Sequence, residues 1–485
     1  MNNEPNTRTI SIPFLSQKVS NSAILIYIAA LVVCGIAYMQ HIMHWYWWIF
    51  GIVEVVCYFY LANRLTKNWV VLRSNVFERN LFGWAFAIRM IVMLFLYWFH
   101  TEMTGQPFMF GAKDAVGYHE EAQWMAQTIR DGQFDIYLNY KFVEHHAISD
   151  AGYPMYLGFV YLLSWDSIIF ARLLKCLWGA LSCLLIYRLG KRHFGEQVGR
   201  IAGILMMLES HFWIYGGMHL KETEMIFMAL LFLERADDLI RSRKFNFANI
   251  TVVVVLMVSL FTFRTVLGLT GVFALGVTLL LSSERVMSWG RRVVILLVFG
   301  VTALYFAGGR IFSEIETIYT LKDDNQGARM SEIVETQSLA KYAGAAVFAP
   351  MIFTIPFPTM VETEGQEISR MLHGGMVTKG IMSFFCILAI ITLVFPILPK
   401  LNKWRDHILI GAFLIAYLVI LVFSEFAHAD RFHMPALPLE ILFVAYGVSL
   451  WRVKIFQRWF NWWLVVMLVA FVGWNWFKLA GRGLV

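Results

Sequence analysis

Apolar residues dominate this chain in long runs that are separated by short polar segments. A helix needs about 20 residues to cross the hydrocarbon core of a bilayer, and about thirteen runs approach that length. The predicted spans cover residues 22–39, 45–62, 81–99, 166–189, 198–217, 220–234, 248–263, 265–282, 292–308, 380–398, 408–425, 433–451 and 461–477. We therefore expect an all-α polytopic membrane protein that forms a single transmembrane domain over residues 1–485.

Basic clusters recur after every second predicted span. With the N-terminus in the cytoplasm, all of them fall on the cytoplasmic side, as the positive-inside rule requires. The clusters are Arg64/Lys67/Arg73/Arg79, Arg188/Lys191/Arg192/Arg200, Arg235/Arg241/Arg243/Lys244, Arg285/Arg291/Arg292, Lys400/Lys403/Arg405 and Arg452/Lys454/Arg458. The same arrangement places two long loops, residues 100–151 and 309–378, on the outer side, and both are rich in Asp and Glu. Any chemistry is therefore expected to face outward.

The first outer loop is expected to contain an amphipathic helix. Tyr118, Ala122, Met125 and Ile129 recur at helical spacing, and charged residues occupy the other faces. This pattern is typical of a helix that lies on the membrane surface. The apolar stretch that follows, residues 152–165, is too short for an ordinary crossing and predicts an interfacial or re-entrant helix.

The second outer loop has a polar first half and an apolar second half. Pro350, Pro356 and Pro358 interrupt the apolar stretch at residues 345–360, so a continuous helix is not expected there. Such a stretch suits a segment that dips into the membrane interface. Because it is long and partly apolar, the loop is a candidate lid or acceptor platform.

Composition supports a membrane protein and argues against a soluble domain, a nucleic-acid-binding protein and a disulfide- or zinc-stabilised scaffold. The chain is 59% hydrophobic and 15% charged, far from the composition of soluble domains. Its net charge of +7 follows the predicted topology and does not indicate nucleic-acid binding. All five cysteines lie inside apolar runs without paired spacing, so we expect neither a disulfide framework nor a zinc site.

Asp114 is the first candidate for chemistry, because it precedes the amphipathic helix of the first loop. One interpretation is an N-cap, since Asp commonly accepts backbone N–H bonds at a helix start. The alternative is a general base that acts on an acceptor hydroxyl. The neighbouring ionisable and aromatic residues favour the second interpretation; they are Tyr118, His119, Glu120, Glu121, His145, His146 and Asp150.

A second charged group, HLKETE at residues 219–224, occupies a short outer connection between two predicted spans. Charges at the end of a short apolar helix are costly unless they face a polar cavity. Lys221 and Glu222 are therefore candidate site residues. For Glu224 we favour a solvated helix end with surface ion pairs.

Cations on the outer side form a third group. Arg172, Lys175, Arg264 and Arg431 all lie near the outer ends of predicted spans. Snorkelling to lipid headgroups explains any one of them, and it is the favoured interpretation for Lys175. Several cations on one side could instead hold a phosphate, for which Arg is well suited. Whether a divalent metal ion joins Asp114 and the nearby histidines stays open, because their spacing is not diagnostic.

Several of these motifs, taken in order, resemble a known family of membrane enzymes. The acidic stretch DAVGYHEEA is followed by GYPMYLGFVYLL, then HLKETE, and finally DRFHMPALPLEILFVAYG. This order is similar to the GT-C superfamily of glycosyltransferases, in the branch of protein O-mannosyltransferases and lipid A aminoarabinose transferases. The similarity covers roughly residues 111–234 and 430–447 and leaves the middle of the chain unmatched.

The resemblance implies a transferase that moves a sugar, with inversion, from a polyprenyl-phosphate carrier to an acceptor glycolipid, glycan or protein. It places the protein in a bacterial inner membrane, with the active site facing the periplasm. Asp114 would be the base or organise the site, Glu222 would be a second acidic group, and Arg431 would contact the donor phosphate. The sequence departs from the family pattern at two places, which bear on the metal requirement and the acceptor type. Asp-Ala stands where many relatives have paired acids, and His145-His146 stands where others have His-Pro-Pro.

The remaining candidate residues complete this expected site. Arg264 and Lys221 would help Arg431 to stabilise the departing phosphate. The expected substrate contacts are Tyr118, His119, His145, His146 and Tyr153. Membrane lipids are expected partners, and nucleic acid is not.

Two other functions remain compatible with the pattern. A polysaccharide polymerase or ligase also joins lipid-linked sugars, but it is expected to have Arg-rich outer loops, whereas these loops are acidic. A transporter or flippase predicts inverted repeats and charges near the middle of the membrane. The sequence indicates instead that charges gather at helix ends.

Overall fold

The computed structural model describes residues 13–144, 149–242, 247–281, 351–395, 404–424, 429–451 and 453–484, together with positions 290, 293 and 297. Regular structure in these ranges is helical, apart from one β-bridge between Ile42 and Val361. The helices are α1 Gln17–Ala37, α2 Trp45–Asn68, α3 Ser74–Thr104, α4 Lys113–Arg130, α5 Phe134–Leu138, α6 Gly152–Ser164, α7 Ile168–Phe194, α8 Glu196–Leu208, α9 Ser210–Gly217, α10 Glu222–Arg241, α11 Phe247–Phe263, α12 Thr265–Leu281, α13 Glu367–Met371, α14 His373–Val394, α15 Ile408–Val422, α16 Asp430–His433, α17 Leu437–Ser449 and α18 Lys454–Ala480.

The helices confirm a multi-pass membrane architecture. Among the described residues, seven helical segments are long and apolar enough to cross a membrane. They are α1, α2, α3, α7, α14, the segment Trp404–Val422 and α18. Apart from positions 293 and 297, the predicted span at residues 292–308 lies outside the described residues, and each of the other predicted spans coincides at least partly with a helix.

One predicted span is interrupted. The sequence predicted a single helix over residues 198–217, whereas the structure has α8 and α9 on either side of Glu209. The backbone of Glu209 is extended, with φ −71° and ψ 119°. The Glu209 carboxylate accepts a hydrogen bond at 2.7 Å from Nδ1 of His211 when that ring is protonated there. The break therefore places a polar pair inside an apolar bundle.

The amphipathic helix of the first loop is present as α4, and its apolar face packs on protein. Ala122 and Met125 are buried, and α4 packs along α6. A Cβ atom at Gly158 would lie 2.5 Å from Sδ of Met125, so the absence of a side chain there allows the two helices to approach closely. The predicted amphipathic helix thus packs part of its apolar face against α6, and its position on the membrane surface stays a prediction.

The second loop contributes a buried, largely non-helical segment, residues 351–363. Side chains from neighbouring helices satisfy its backbone: Lys379 donates to the carbonyl of Ile355 at 2.8 Å, and Asn475 bonds both Pro358 and Met360. Irregular backbone is tolerated at membrane depth only where protein partners replace water. The segment that was predicted to enter the membrane interface is thus buried within the protein. The helix that follows, α14, begins at His373, before the predicted start at residue 380.

Charged residues gather at two ends of the bundle. We call the end that contains the starts of α4 and α10, together with α16, the α4 end. The end that contains the last turns of α7 and α10 is called the opposite end. At the opposite end Arg192 pairs with Asp237 at 3.1 Å, and Arg241 pairs with the same carboxylate at 2.8 Å.

Candidate functional site

Arg431 is the centre of a charged cluster at the α4 end. Its Nη1 donates to Oδ2 of Asp114 at 2.5 Å, and its Nε donates to Oε1 of Glu222. The three residues come from α4, α10 and α16, which are far apart in the sequence. Burial acts to lower the pKa of Arg431, but Glu222 and Asp114 raise it by more, so its charge is firmly held. The structure thus brings together three residues that the sequence analysis selected separately.

Asp114 is accessible and does not cap its helix. It lies in the first turn of α4, whose N-cap is Ala112, so the N-cap interpretation is wrong. The Asp114 side chain is 54% exposed, whereas that of Glu222 is fully buried. Of the two carboxylates on Arg431, only Asp114 is therefore open to an incoming molecule.

Two more cations lie beside this cluster. Lys221 pairs with Asp150 and donates to the carbonyl of Phe263 at 3.3 Å. Arg264, between α11 and α12, lies over the Phe432 ring at 4.3 Å from its centre. Within the described part of the chain, Arg264 forms no ion pair. Its guanidinium is therefore held by an aromatic ring and not by a counter-charge.

Aromatic residues and histidines form one wall of the cluster. The rings of Tyr118 and Tyr153 meet edge to face at 5.1 Å, and burial raises the pKa of Tyr118 to about 12. Nδ1 of His119 lies 2.6 Å from the Tyr161 hydroxyl, which lies 3.1 Å from Nε2 of His219. Burial lowers the pKa of both histidines, so they are neutral near pH 7. The predicted substrate contacts His145 and His146 lie outside the described residues.

Two interpretations of nearby charges were wrong. Lys175, expected to snorkel toward lipid, and Glu224, expected at a solvated helix end, are both buried. They form an ion pair at 3.0 Å between α7 and α10. The sequence separates them by almost fifty positions, so neither the helical spacing nor the composition indicated that they meet.

Sequence reasoning also missed ionisable side chains buried inside helices. Glu54 accepts a hydrogen bond from the Gly375 backbone at 2.8 Å in the first turn of α14. Lys379 contacts His433 at 3.0 Å and Glu440 at 3.7 Å. The inference that charges gather only at helix ends is therefore wrong. A single Glu or Lys within an apolar run was the signal that could have identified Glu54 and Lys379.

The described residues contain no group of three or more His, Cys, Asp or Glu side chains that could hold a metal ion. The fold and the charged cluster together define a multi-pass helical membrane protein with a polar site at one end of its bundle. No protein-family model, curated protein or solved structure matches the chain. The function must therefore be argued from the geometry of the site.

Proposed function

We propose that the chain is an integral-membrane inverting glycosyltransferase that uses a polyprenyl-phosphate-linked sugar as donor. The observation that carries the proposal is the convergence of Asp114, Glu222 and Arg431 in one cluster. Lys221 and Arg264 lie beside it. An accessible carboxylate next to several cations matches the needs of a reaction in which a hydroxyl loses a proton and a phosphate departs.

In the proposed reaction, Asp114 takes the proton from the acceptor hydroxyl. The acceptor oxygen forms a bond to the anomeric carbon of the sugar while the bond from that carbon to the phosphate oxygen breaks. The electron pair leaves with the polyprenyl phosphate, whose charge is stabilised by Arg431, Lys221 and Arg264. The acceptor is a glycolipid, a glycan or a protein. A single displacement inverts the anomeric configuration.

Arg431 links donor binding to the activation of Asp114. In the free protein, Arg431 donates a hydrogen bond to Oδ2 of Asp114, so this oxygen is already occupied by the guanidinium. A donor phosphate that binds Arg431 competes with Asp114 and releases that oxygen to the acceptor. Glu222 is fully buried against Nε of Arg431. We assign it a positioning role, which keeps the guanidinium in place during this exchange.

The proposal includes a topology of about thirteen spans. Besides the seven long helices, it counts α8 with α9, α10, α11, α12, α17 and the apolar run at residues 292–308 as crossings. The α4 end then faces the periplasm of a bacterial inner membrane, since the basic clusters define the cytoplasmic side. A lipid-linked sugar carries its reactive carbon at headgroup level, where this end of the bundle can reach it.

The decisive test compares the intact chain with Asp114→Asn in proteoliposomes that contain a panel of radiolabelled polyprenyl-phosphate sugars. We expect transfer of one donor, and a loss of about 10²- to 10⁴-fold in the variant, because general-base catalysis contributes that much. Near-normal turnover in the variant would reject the assignment of Asp114. Turnover of only diphosphate-linked oligosaccharides would favour a polymerase or ligase.

A second candidate function is transport of a lipid-linked sugar. It is favoured by buried ionisable groups, because such residues often mark a substrate path. They are Glu54, Lys379 and Glu440 inside helices and Glu209 at the break between α8 and α9. Movement of an unmodified labelled donor across the proteoliposome membrane, without transfer, would support this candidate over the glycosyltransferase.

A further inference from the structure

Arg172 is a buried cation whose charge is not neutralised by the described residues. It lies in the first turns of α7, and its side chain is 0% exposed. Its one hydrogen bond runs from Nη2 to the carbonyl of Pro107, and its guanidinium lies 5.5 Å from the centre of the Tyr97 ring. No carboxylate of the described residues pairs with it. A buried guanidinium in this state is costly, because it has lost water without gaining a counter-charge.

Several polar atoms around Arg172 also lack partners in the described structure. They include Nε and Nη1 of Arg172, both ring nitrogens of His100, the Tyr153 hydroxyl and Nδ1 of His219. His100, Tyr153 and His219 all lie close enough to interact electrostatically with Arg172. Buried polar groups are almost always hydrogen-bonded, so a concentration of unpaired ones indicates a missing partner. Most of these atoms can donate, and the missing partner is therefore an acceptor.

Lys175, one turn further along α7, is a buried cation whose charge is paired and whose hydrogen bonds are formed. It is equally buried, yet it pairs with Glu224 at 3.0 Å and donates to the carbonyl of Leu220. The Lys175–Glu224 pair is neutral as a unit and cannot balance Arg172. The histidines do not supply an anion in any protonation state. Neither this pair nor the histidines therefore neutralise Arg172.

Arg89 provides a second contrast, because it is also a buried arginine without a carboxylate partner in the described residues. Its guanidinium reaches three acceptors: the Ala85 carbonyl at 3.0 Å, the Cys183 sulfur at 3.4 Å and the Met206 carbonyl at 3.5 Å. Arg172 has one acceptor. Arg89 is thus left with one unpaired nitrogen, Nε, whereas Arg172 is left with two, Nε and Nη1.

We propose that Arg172, with Tyr153 and His219, forms an anion-binding site distinct from the Arg431 cluster. The ligand is a small anion, of the size of a halide ion or one oxygen of a phosphate group, since the unpaired groups around Arg172 can donate and all of them are buried. Bound there, the anion accepts from Nε or Nη1 of Arg172 and neutralises the buried charge. It also fixes the segment around Pro107, which connects α3 to the helix that carries Asp114.

The test measures the thermal unfolding midpoint of the full-length protein in detergent while gluconate is exchanged for chloride, or for inorganic phosphate, at constant ionic strength. We expect chloride or phosphate to raise the midpoint, and the effective anion identifies whether the site takes a halide or a phosphate oxygen. The rise in chloride should disappear in Arg172→Gln, and the rise in phosphate, which can also bind at Arg431, should become smaller in that variant. The chloride effect should persist in the matched control Arg89→Gln and in Arg431→Lys, which separates this site from the proposed donor site.

A direct measurement covers the case in which Arg172→Gln does not fold. Crystals of the unaltered protein grown with bromide should show an anomalous scattering peak beside Nε or Nη1 of Arg172. An unchanged midpoint in both anions would overturn the proposal, as would an equal rise in Arg172→Gln. The proposal would also be overturned if no bromide peak appeared and phosphate left the unfolding midpoint unchanged.

Discussion

The two ends of the bundle both hold charged networks, but they are built differently. At the opposite end, Arg192 contacts Glu234, Asp237 and Asp238 at 2.8–3.3 Å, and all three acids belong to α10, which packs against α7. At the α4 end, Arg431 is shared by carboxylates from two distant segments, and one of them is accessible.

The difference indicates what each network does. In the Arg192 network, α10 supplies all three acids to an arginine of α7, so the network can be understood as a structural link between these two helices. At the α4 end, an arginine is shared and Arg264 has no counter-charge in the described residues. Such a network can exchange one of its acids for a ligand. The contrast leads to predictions that separate activity from stability.

The largest expected effect is on turnover in Arg431→Lys. Lysine retains the charge but cannot donate through two nitrogens to two groups at once, so stabilisation of the departing phosphate should fall. We expect turnover of the lipid-linked donor to drop on the order of 10²-fold, with a nearly unchanged unfolding midpoint. Arg192→Lys is the matched control at the opposite end, and it should keep its turnover. Equal losses in both variants would remove the distinction between the two ends.

The next effect is on stability in Glu224→Gln. This change leaves Lys175 as an unpaired buried charge and should cost about 3–5 kcal/mol in the free energy of unfolding. Adding Lys175→Met should restore much of the loss, because the double variant buries no charge. Denaturant unfolding of the single and double variants measures both steps. A double variant less stable than Glu224→Gln would show that the pair does more than balance charge.

A smaller loss is expected for Asp237→Asn at the opposite end. Asp237 is 2% exposed and bonds both Arg192 and Arg241, but these arginines are partly exposed and retain other acceptors. The variant should lose about 1–3 kcal/mol of stability while donor turnover stays within a factor of about two. Unfolding and transfer assays on the same preparation check both values. A large loss of turnover without a loss of stability would contradict the interpretation of this network as a structural link between α7 and α10.

The smallest effect is the dependence of stability on pH. Burial lowers the pKa of His119 and His219 below the usual value of 6.5. Between the lowered pKa of the folded protein and the usual pKa of 6.5, the unfolded chain therefore binds more protons than the folded one. The free energy of unfolding rises with pH in that window. The contribution of these histidines should be complete above about pH 6.5 and should fall as the pH drops below that value. His219→Gln should flatten the slope of the unfolding midpoint against pH; an unchanged slope would show that other groups control it.

Local patterns in the sequence determined the helices and several of the candidate residues. Hydrophobic runs identified most of the helices, and helical periodicity identified α4, because both signals depend on neighbours within a few turns. The same local logic selected Asp114, Glu222 and Arg431 as unusual charges near helix ends. It failed for Lys175 and Glu224, whose environment depends on which helix packs opposite each of them.

Only the tertiary structure decided which charges meet. Asp114 and Arg431 are separated by more than three hundred positions, and no local pattern determines that they pair. The surroundings of Arg172 likewise depend on a distant partner, the Pro107 carbonyl in the connection between α3 and α4. The physical reason is that a charge inside a membrane protein is stabilised by whatever lies across the bundle from it, whereas a helix is stabilised largely by its own backbone and by the lipid around it.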